Sequence, residues 1–444
     1  MNQEMKPAFP KNGMPLENIL ELIGEYKEQD LSCLRLNANS MKGSAEVQEV
    51  GKTIFLEYFL YNALYSVMVP SIGRIEDKLT AMCVEIFNGG PDGRANITVG
   101  GTDSIICAVH AMREWARETK QIAEPELIVP YSTHAAFSKA AHYLNIKLIR
   151  TPLREDYCAD VEAMNKAISP NTIGLVGSAP SWPYGRYDPL REISDLAIEK
   201  ELWLHVDACL GGYLAPFVKK AGYAIPDFDF SLPGVMSLSA DLHKYGHAPK
   251  PISTVLWRSE EQQRHHYTLV QDWPTGAYFT QALTGSRPAG PVAAAWGIFK
   301  FLGEEGKVEL ARQTMHVKGL LTEGVNCIDG LKAFENDLTP FMFYSDDYDI
   351  GQVVGGLTAR GWLMLGTPEP PMAQITLDSV EDELIHDFLK DLKAVVSDIR
   401  AGKDVPVTPL AYTYLEDADL SGIPQWAQRA LPIMRPTHSE IRKA

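Results

Sequence analysis

Short apolar segments alternate with amphipathic ones between about residues 96 and 257, and this alternation limits the possible folds more than any other feature. The spacing predicts strands at 96–99, 126–129, 147–150, 173–177, 203–206, 235–239 and 253–257, with helices at 103–119, 134–144, 160–168 and 190–199. Strands connected through helices pair in parallel, and the helices cover both faces of the sheet. The chain is therefore predicted to be an α/β protein with a mostly parallel sheet.

The remaining segments suggest a multi-part organisation. We predict an N-terminal helical segment at 1–66, a large domain at 67–302, a smaller C-terminal α+β domain at 303–403 and a tail at 404–444. A helix at about 290–302 is expected to lead out of the large domain. The small domain is expected to contain helices at 307–328, 350–360 and 380–400, with strands at 341–344 and 374–377. A chain of 444 residues is long enough for two or three domains with their own cores.

Composition and charge argue against several classes of binding partner. The chain carries 41 basic and 57 acidic residues, a net charge of -16, which disfavours binding to nucleic acid or to anionic membrane surfaces. No secretory signal is recognisable near Met1, and the apolar stretch 54–69 is interrupted by Glu57 and Asn62, so no transmembrane anchor is expected. The six cysteines are scattered and form no CxxC pair, which favours reduced thiols and a cytoplasmic location. No metal site is predicted.

Three candidate positions fall at the ends of predicted strands, where parallel sheets bind their ligands. These positions are Gly101, Ser178 and Asp207. Asp207 ends an apolar strand, and an acid at the end of a buried strand needs a partner. A protonated pyridine nitrogen is one such partner, and the N-terminus of a helix is the alternative.

The tetrad Asp241-Leu242-His243-Lys244 follows another predicted strand. A lysine in a turn directly after a strand can form a Schiff base with an aldehyde cofactor. Asp207 would then hold a pyridine ring protonated, so that the ring accepts the electrons of a broken bond. Together the two residues predict a pyridoxal 5'-phosphate site. His243 either donates to the cofactor phosphate or is a structural turn histidine.

Two helix starts offer further cofactor contacts. Gly101 and Thr102 open a helix whose free amide groups suit a phosphate, although Thr102 or Asp103 would also be an ordinary cap. His134 opens another helix, and it either stacks on the cofactor ring or caps the helix.

Charged and aromatic residues elsewhere are candidates for the substrate side. Ser286 and Arg287 suit a phosphate or carboxylate, or belong to a solvated surface loop. Lys250 lies six residues after Lys244 and could add a second positive charge to the same pocket. Tyr412 in the tail is either part of a lid or a packing residue.

Several segments together resemble one known family. The chain is similar to sphingosine-1-phosphate lyases, within the fold-type-I (aspartate aminotransferase-like) pyridoxal phosphate enzymes that include the group II amino acid decarboxylases. The segments that carry the resemblance are FNGGPD (87–92), GGTDSI (101–106), STHAAFSKAA (132–141), HVDACLGGYL (205–214), KKAGY (219–223), DFDF (227–230), SLSADLHKYGHAPK (237–250), DW (272–273) and GSRPAG (285–290).

The resemblance implies a set of site residues. Lys244 is implied as the Schiff-base lysine, Asp207 as the partner of the pyridine nitrogen and His134 as the stacking residue. The implied dimer builds its active sites across the interface between two copies, so that Ser286 reaches the cofactor of the partner subunit. The full predicted cofactor set is Gly101, Thr102, His134, Ser178, Asp207, His243, Lys244 and Ser286, and the predicted substrate set is Tyr65, Lys250, Arg287 and Tyr412. On the substrate side the resemblance itself implies Lys250 and Tyr412.

Departures from the lyase pattern lie outside the cofactor residues. Tyr65 stands where the lyases have a histidine that helps to bind the substrate phosphate. Ala179 replaces a threonine, and Tyr184 replaces a histidine.

Three functions are consistent with this pattern. The leading hypothesis is a carbon–carbon lyase that cleaves a phosphorylated amino alcohol into a fatty aldehyde and phosphoethanolamine, and the second is an amino acid α-decarboxylase. The third hypothesis is a binding protein on a degenerate enzyme fold, and the intact Asp207 and Lys244 argue against it.

Overall fold

A seven-stranded sheet forms the centre of the larger part of the chain. The computed structural model describes residues 9–28, 41–65, 67–408 and 410. The strands of this sheet lie in the order β1-β7-β6-β5-β4-β2-β3, and all neighbours are parallel except those of β7. Their bounds are β1 Arg94–Thr98, β2 Glu126–Pro130, β3 Lys147–Thr151, β4 Thr172–Ser178, β5 Trp203–Asp207, β6 Val235–Ala240 and β7 Ser253–Trp257.

Helices cover the sheet, and the central strands β4 and β5 are buried along their whole length, as expected for a parallel sheet with both faces covered. No helix within the described ranges is long and apolar enough to cross a membrane. The helices are α1 Leu16–Lys27, α2 Ala45–Glu57, α3 Pro70–Ile86, α4 Gly101–Lys120, α5 Ala136–Leu144, α6 Val161–Ala167, α7 Leu190–Glu199, α8 Ala215–Lys220, α9 Glu260–Arg264, α10 Ala289–Asn326, α11 Ile350–Thr358 and α12 Asp382–Arg400.

A second apolar cluster surrounds a smaller, four-stranded antiparallel sheet in the order β10-β11-β13-β12. Helices α11 and α12 and the second half of α10 pack around it. A separate two-stranded hairpin, β8 with β9, precedes α10. The strands are β8 Thr268–Val270, β9 Tyr278–Thr280, β10 Lys332–Ala333, β11 Phe341–Tyr344, β12 Leu365–Pro368 and β13 Pro371–Ile375.

The predicted α/β class with a mostly parallel sheet is confirmed. The helices predicted at 290–302 and 307–328 are confirmed as the two halves of α10, which lie on either side of a kink. Gly303 interrupts α10 with a φ of 58° and a ψ of -168°, a conformation that glycine adopts without steric cost. The helix therefore kinks at this residue. The predicted domain boundary at 302/303 coincides with the kink and stays a prediction.

Candidate active site

A cavity of about 290 Å³ opens at the carboxyl ends of the central strands. It brings together five of the predicted site residues, and a larger cavity of about 730 Å³ between α3, α8 and α10 contains none of them. Ligands of parallel sheets bind at this edge. The residues that line the smaller cavity are Met41, His134, Pro180, Trp182, Asp207, Cys209, Leu210, His243, Lys244 and Lys250.

Asp207 is fixed at the end of β5 by a chain of hydrogen bonds that runs across to β6. The indole nitrogen of Trp203 donates to Ser237 Oγ at 2.8 Å, and Ser237 Oγ lies 2.8 Å from Nδ1 of His205. Nε2 of His205 lies 3.2 Å from Ser239 Oγ, which donates to Asp207 Oδ1 at 3.4 Å. These directions are mutually consistent if His205 carries its proton on Nε2.

His205 itself is fully buried, and burial lowers its pKa to about 4. The ring is therefore neutral at physiological pH, and its two nitrogens serve one donor and one acceptor role. The backbone N–H of Cys209 also donates to Asp207 Oδ1, at 3.1 Å. Two donors thus fix the orientation of the Asp207 carboxylate. No role for His205 was predicted, although its position two residues before Asp207 places both side chains on the same face of β5.

Lys244 lies in the turn after β6, and its amine is ion-paired. Nζ of Lys244 is 3.0 Å from Oδ2 of Asp241, the first residue of the tetrad. Burial alone would lower the pKa of Lys244, but the acidic groups around the amine, Asp241 first among them, together raise the pKa above its ordinary value. Burial likewise favours a raised pKa for Asp241, and the charges of Lys244 and His243 reverse the direction.

The ring of His243 is held in place by a hydrogen bond from its Nδ1 atom. The carbonyl oxygen of Ile252 accepts a hydrogen bond from Nδ1 at 2.6 Å, so that nitrogen carries a proton. Nε2 lies 3.6 Å from Asp241 Oδ2. Burial lowers the pKa of His243, which makes Nε2 an acceptor. Donation from Nε2 to a phosphate requires a second proton, and a nearby anion favours that proton.

The start of α4 closes one side of the site. A Cβ atom on Gly101 would lie 2.8 and 2.9 Å from the two carboxylate oxygens of Asp241 and 3.0 Å from Sγ of Cys209. A side chain at this position therefore does not fit without displacing Asp241. Behind it, the Ser253 hydroxyl donates to Asp241 Oδ1 at 2.6 Å.

The polar surroundings of the cavity fit pyridoxal phosphate. Within the described part of the chain, the buried hydroxyls of Ser132, Thr133 and Ser181 have no hydrogen-bond partner. Ser132 and Thr133 directly precede His134, and Ser181 lies between Pro180 and Trp182, so they adjoin residues that line the cavity. Buried polar groups without partners indicate that a polar ligand or water belongs nearby.

Other predicted residues lie outside this cavity. The guanidinium of Arg287 is buried and pairs with both carboxylate oxygens of Glu76, at 2.8 and 3.1 Å. Ser286 Oγ accepts a hydrogen bond from Asn62 Nδ2 at 3.0 Å. An arginine already neutralised by Glu76 is a poor clamp for a substrate anion, so the geometry speaks against the predicted substrate role of Arg287. Lys250, which was predicted for the same role, does line the cavity.

Four further predicted residues have different outcomes. The backbone N–H of Ser178 donates to Asp188 at 2.7 Å, and Ser178 and Thr102 are not among the residues that line the cavity. Tyr412 and the side chain of Tyr65 lie outside the described residues. The roles assigned to all of these residues stay predictions.

Tyr184, one of the departures from the lyase pattern, is not among the residues that line the cavity. Its hydroxyl donates to the carbonyl oxygen of Glu369 at 3.1 Å, and its ring stacks on Tyr157. This tyrosine therefore connects the large sheet region to the smaller antiparallel sheet.

Comparison with known proteins agrees with this geometry. Residues 64–329 match the model of the pyridoxal-dependent decarboxylase conserved domain. The chain is 36% identical over 420 residues to sphingosine-1-phosphate lyase 1 of Mus musculus, covering 93% of this chain and 74% of the relative. It is 32% identical over 391 residues to an L-aspartate/L-glutamate decarboxylase of Pyrococcus horikoshii, covering 88% of this chain and 100% of the relative.

Solved structures show the same likeness. A sphingosine-1-phosphate lyase of Burkholderia pseudomallei superposes with a TM-score of 0.84 at 34% identity, covering 89% of this chain and 94% of that one. A glutamate decarboxylase of Lactobacillus brevis superposes with a TM-score of 0.80 over 90% of this chain and 96% of its own, and at 20% identity it shows the fold alone. The predicted fold type and cofactor are thereby confirmed.

Proposed function

This chain belongs to the pyridoxal-dependent decarboxylase family, and we propose that it is a carbon–carbon lyase of the sphingosine-1-phosphate lyase type. The proposed substrate is a phosphorylated amino alcohol, and the proposed products are a fatty aldehyde and phosphoethanolamine. The observation that carries the proposal is the cavity in which Lys244, Asp207 and Lys250 meet, in a chain 36% identical to a lyase of that name over 93% of its length.

Each of several residues in the cavity is proposed to hold a different part of the cofactor. When bound, pyridoxal phosphate supplies a ring that accepts the electron pair of the bond broken at the carbon next to the substrate nitrogen. Lys244 Nζ is the amine that would hold the cofactor aldehyde covalently. Asp207, oriented by Ser239 and the Cys209 amide, would keep the pyridine nitrogen protonated. His134 would pack against the ring.

The phosphate of the cofactor is proposed to lie at the start of α4. Gly101 and Thr102 present backbone amides there, and a helix N-terminus favours negative charge. His243 lies on the same side, and a phosphate near Nε2 favours the protonated, donating ring. Lys250, on the substrate side, is proposed to hold the anionic end of the substrate.

We propose further that the chain works as a cytoplasmic homodimer with shared active sites. Large apolar side chains are exposed around the segment that carries Ser286, which is unusual for a surface that faces solvent. Tyr278 and Leu64 both approach Gly285, so the exposed apolar side chains near Leu64 lie close to those near Tyr278. A partner subunit on this surface brings Ser286 towards the other cofactor. The exposed side chains are Leu60, Val67, Met68, Trp273, Phe279 and Leu283.

A product assay tests the function. The purified protein is incubated with phosphorylated sphingoid bases and with a panel of amino acids, and aldehyde, phosphoethanolamine and carbon dioxide are measured separately. Aldehyde and phosphoethanolamine in equal amounts, absent with Lys244→Ala, are the expected result. Carbon dioxide without aldehyde would overturn the lyase proposal in favour of an α-decarboxylase, the function named for the Pyrococcus relative.

A further inference from the structure

Asp241 makes close contacts with several groups of the site, and none of the roles proposed above explains these contacts. Its carboxylate lies 3.0 Å from Lys244 Nζ and 3.6 Å from His243 Nε2. Its oxygens also occupy the space beside Gly101, where a Cβ atom would lie only 2.8 and 2.9 Å from them. One buried acid thus touches the amine, the histidine and the helix start that are proposed to bind the cofactor.

The carboxylate is held rigidly from behind. Asp241 is 3% exposed, and its Oδ1 accepts the hydrogen bond from Ser253. Ser253 Oγ is 2.8 Å from Ser104 Oγ, which is 2.6 Å from Thr98 Oγ1. This row of hydroxyls connects β7, α4 and β1, so Oδ2 is left facing Lys244. A buried carboxylate requires such partners, because an unpaired buried charge is costly.

Other groups near Lys244 are weaker candidates for an ion pair with its ammonium. Asp207 raises the pKa of Lys244 less than Asp241 does, and its carboxylate is committed to Ser239 and Cys209. The Cys209 thiol is neutral, because burial raises its pKa well above the ordinary value. His243 and Lys250 carry no negative charge, so neither can form an ion pair with an ammonium.

We propose that Asp241 is a positioning residue that holds the Lys244 ammonium whenever Nζ is not bonded to the cofactor, both in the cofactor-free protein and after a substrate amine has displaced the lysine. The second part of this inference, which concerns the lysine displaced by a substrate amine, rests on the proposed function. The ammonium must release a proton to solvent before Nζ can bond to an aldehyde carbon with loss of water. Asp241 therefore slows attachment of the cofactor and stabilises the displaced lysine in a fixed place.

The reactivity of Lys244 towards acetic anhydride tests this inference without any turnover. The full-length chain, stripped of cofactor, is labelled at graded pH, and acetylation of the Lys244 peptide is quantified by mass spectrometry. In Asp241→Asn the labelling midpoint is expected to fall by about 1–3 pH units, since an opposite charge at this distance shifts a pKa by that amount. Labelling at pH 8 is then at least about tenfold greater than in the wild type.

Matched variants separate this role from a structural one. Ser253→Ala keeps the carboxylate, and Asp207→Asn removes the more weakly coupled acid, so both are expected to shift the midpoint less than Asp241→Asn. Attachment of pyridoxal, which lacks the phosphate, is expected to be faster in Asp241→Asn at pH 7.5, whereas a purely structural loss makes it slower. An unchanged Lys244 midpoint in folded Asp241→Asn overturns the proposal.

The wild-type protein provides a test that does not depend on whether the variant folds. A Lys244 midpoint below that of an ordinary lysine, about 10.4, contradicts an ammonium stabilised by Asp241. A failure of the proposed function is distinguishable from this result. No aldehyde release with normal Lys244 labelling overturns the lyase proposal and leaves the ion pair standing.

Discussion

Arg287→Met removes one half of a buried ion pair and is expected to destabilise the protein strongly. The guanidinium pairs with both oxygens of Glu76 and also donates to the carbonyls of Ile97 and Ala63, at 3.3 and 3.4 Å. Arg287 is 7% exposed and Glu76 9%. Breaking such a pair leaves an uncompensated buried charge and typically costs about 3–5 kcal/mol.

The double variant Glu76→Met/Arg287→Met tests where this free energy comes from. Removing both charges eliminates the unpaired carboxylate, so the double variant is expected to regain most of the stability lost in Arg287→Met. A remainder of about 1–3 kcal/mol is expected, because the carbonyl oxygens of Ile97 and Ala63 lose a donor.

Urea unfolding followed by circular dichroism, at constant pH and with equal m-values, measures these differences. A substrate clamp predicts the opposite pattern: normal stability and a raised KM in Arg287→Met. The ion-pair argument is refuted if Arg287→Met loses less than about 1 kcal/mol, or if the double variant is no more stable than the single one.

Three other variants probe different parts of the molecule. Lys244→Ala is expected to leave no cofactor that borohydride can fix to the chain, measured by mass spectrometry. Gly101→Ala is expected to weaken cofactor binding at least about tenfold in equilibrium dialysis, because its Cβ meets the Asp241 carboxylate at 2.8 Å. Burial lowers the pKa of Lys307 to about 7, so its charge destabilises the folded protein fully below pH 7, and this penalty decreases as pH rises towards the unfolded value. Lys307→Met is therefore expected to raise the urea midpoint more at pH 6 than at pH 9.

Much of the fold followed from local pattern. The strand predicted at 173–177 is β4 at Thr172–Ser178, and the helix predicted at 190–199 is α7 at Leu190–Glu199. Apolar runs of this length have few alternatives once the flanking helices are placed. The antiparallel direction of β7 was not predictable, because periodicity reports which residues are buried and carries no information on which strands pair.

The kink in α10 shows a different limit. Residues on both sides of Gly303 have helical spacing, and the sequence predicted two helices with a connection between them. In the structure the direction changes at one residue while helical structure continues on both sides. A single glycine is compatible with either arrangement, and the choice depends on how the two halves pack against different cores.

The site shows why some charged residues could be interpreted from sequence and others could not. Asp207 and Lys244 follow neighbouring strands of one sheet, so their meeting is a consequence of topology. Arg287 meets Glu76 across 211 positions, and no local pattern indicates that pair. Asp241 lies between these cases, since it pairs with Lys244 three residues later. The aspartate was visible in the tetrad, but its function depends on where Oδ2 points, and that direction is set by Ser253 on β7 and the absence of a side chain at Gly101.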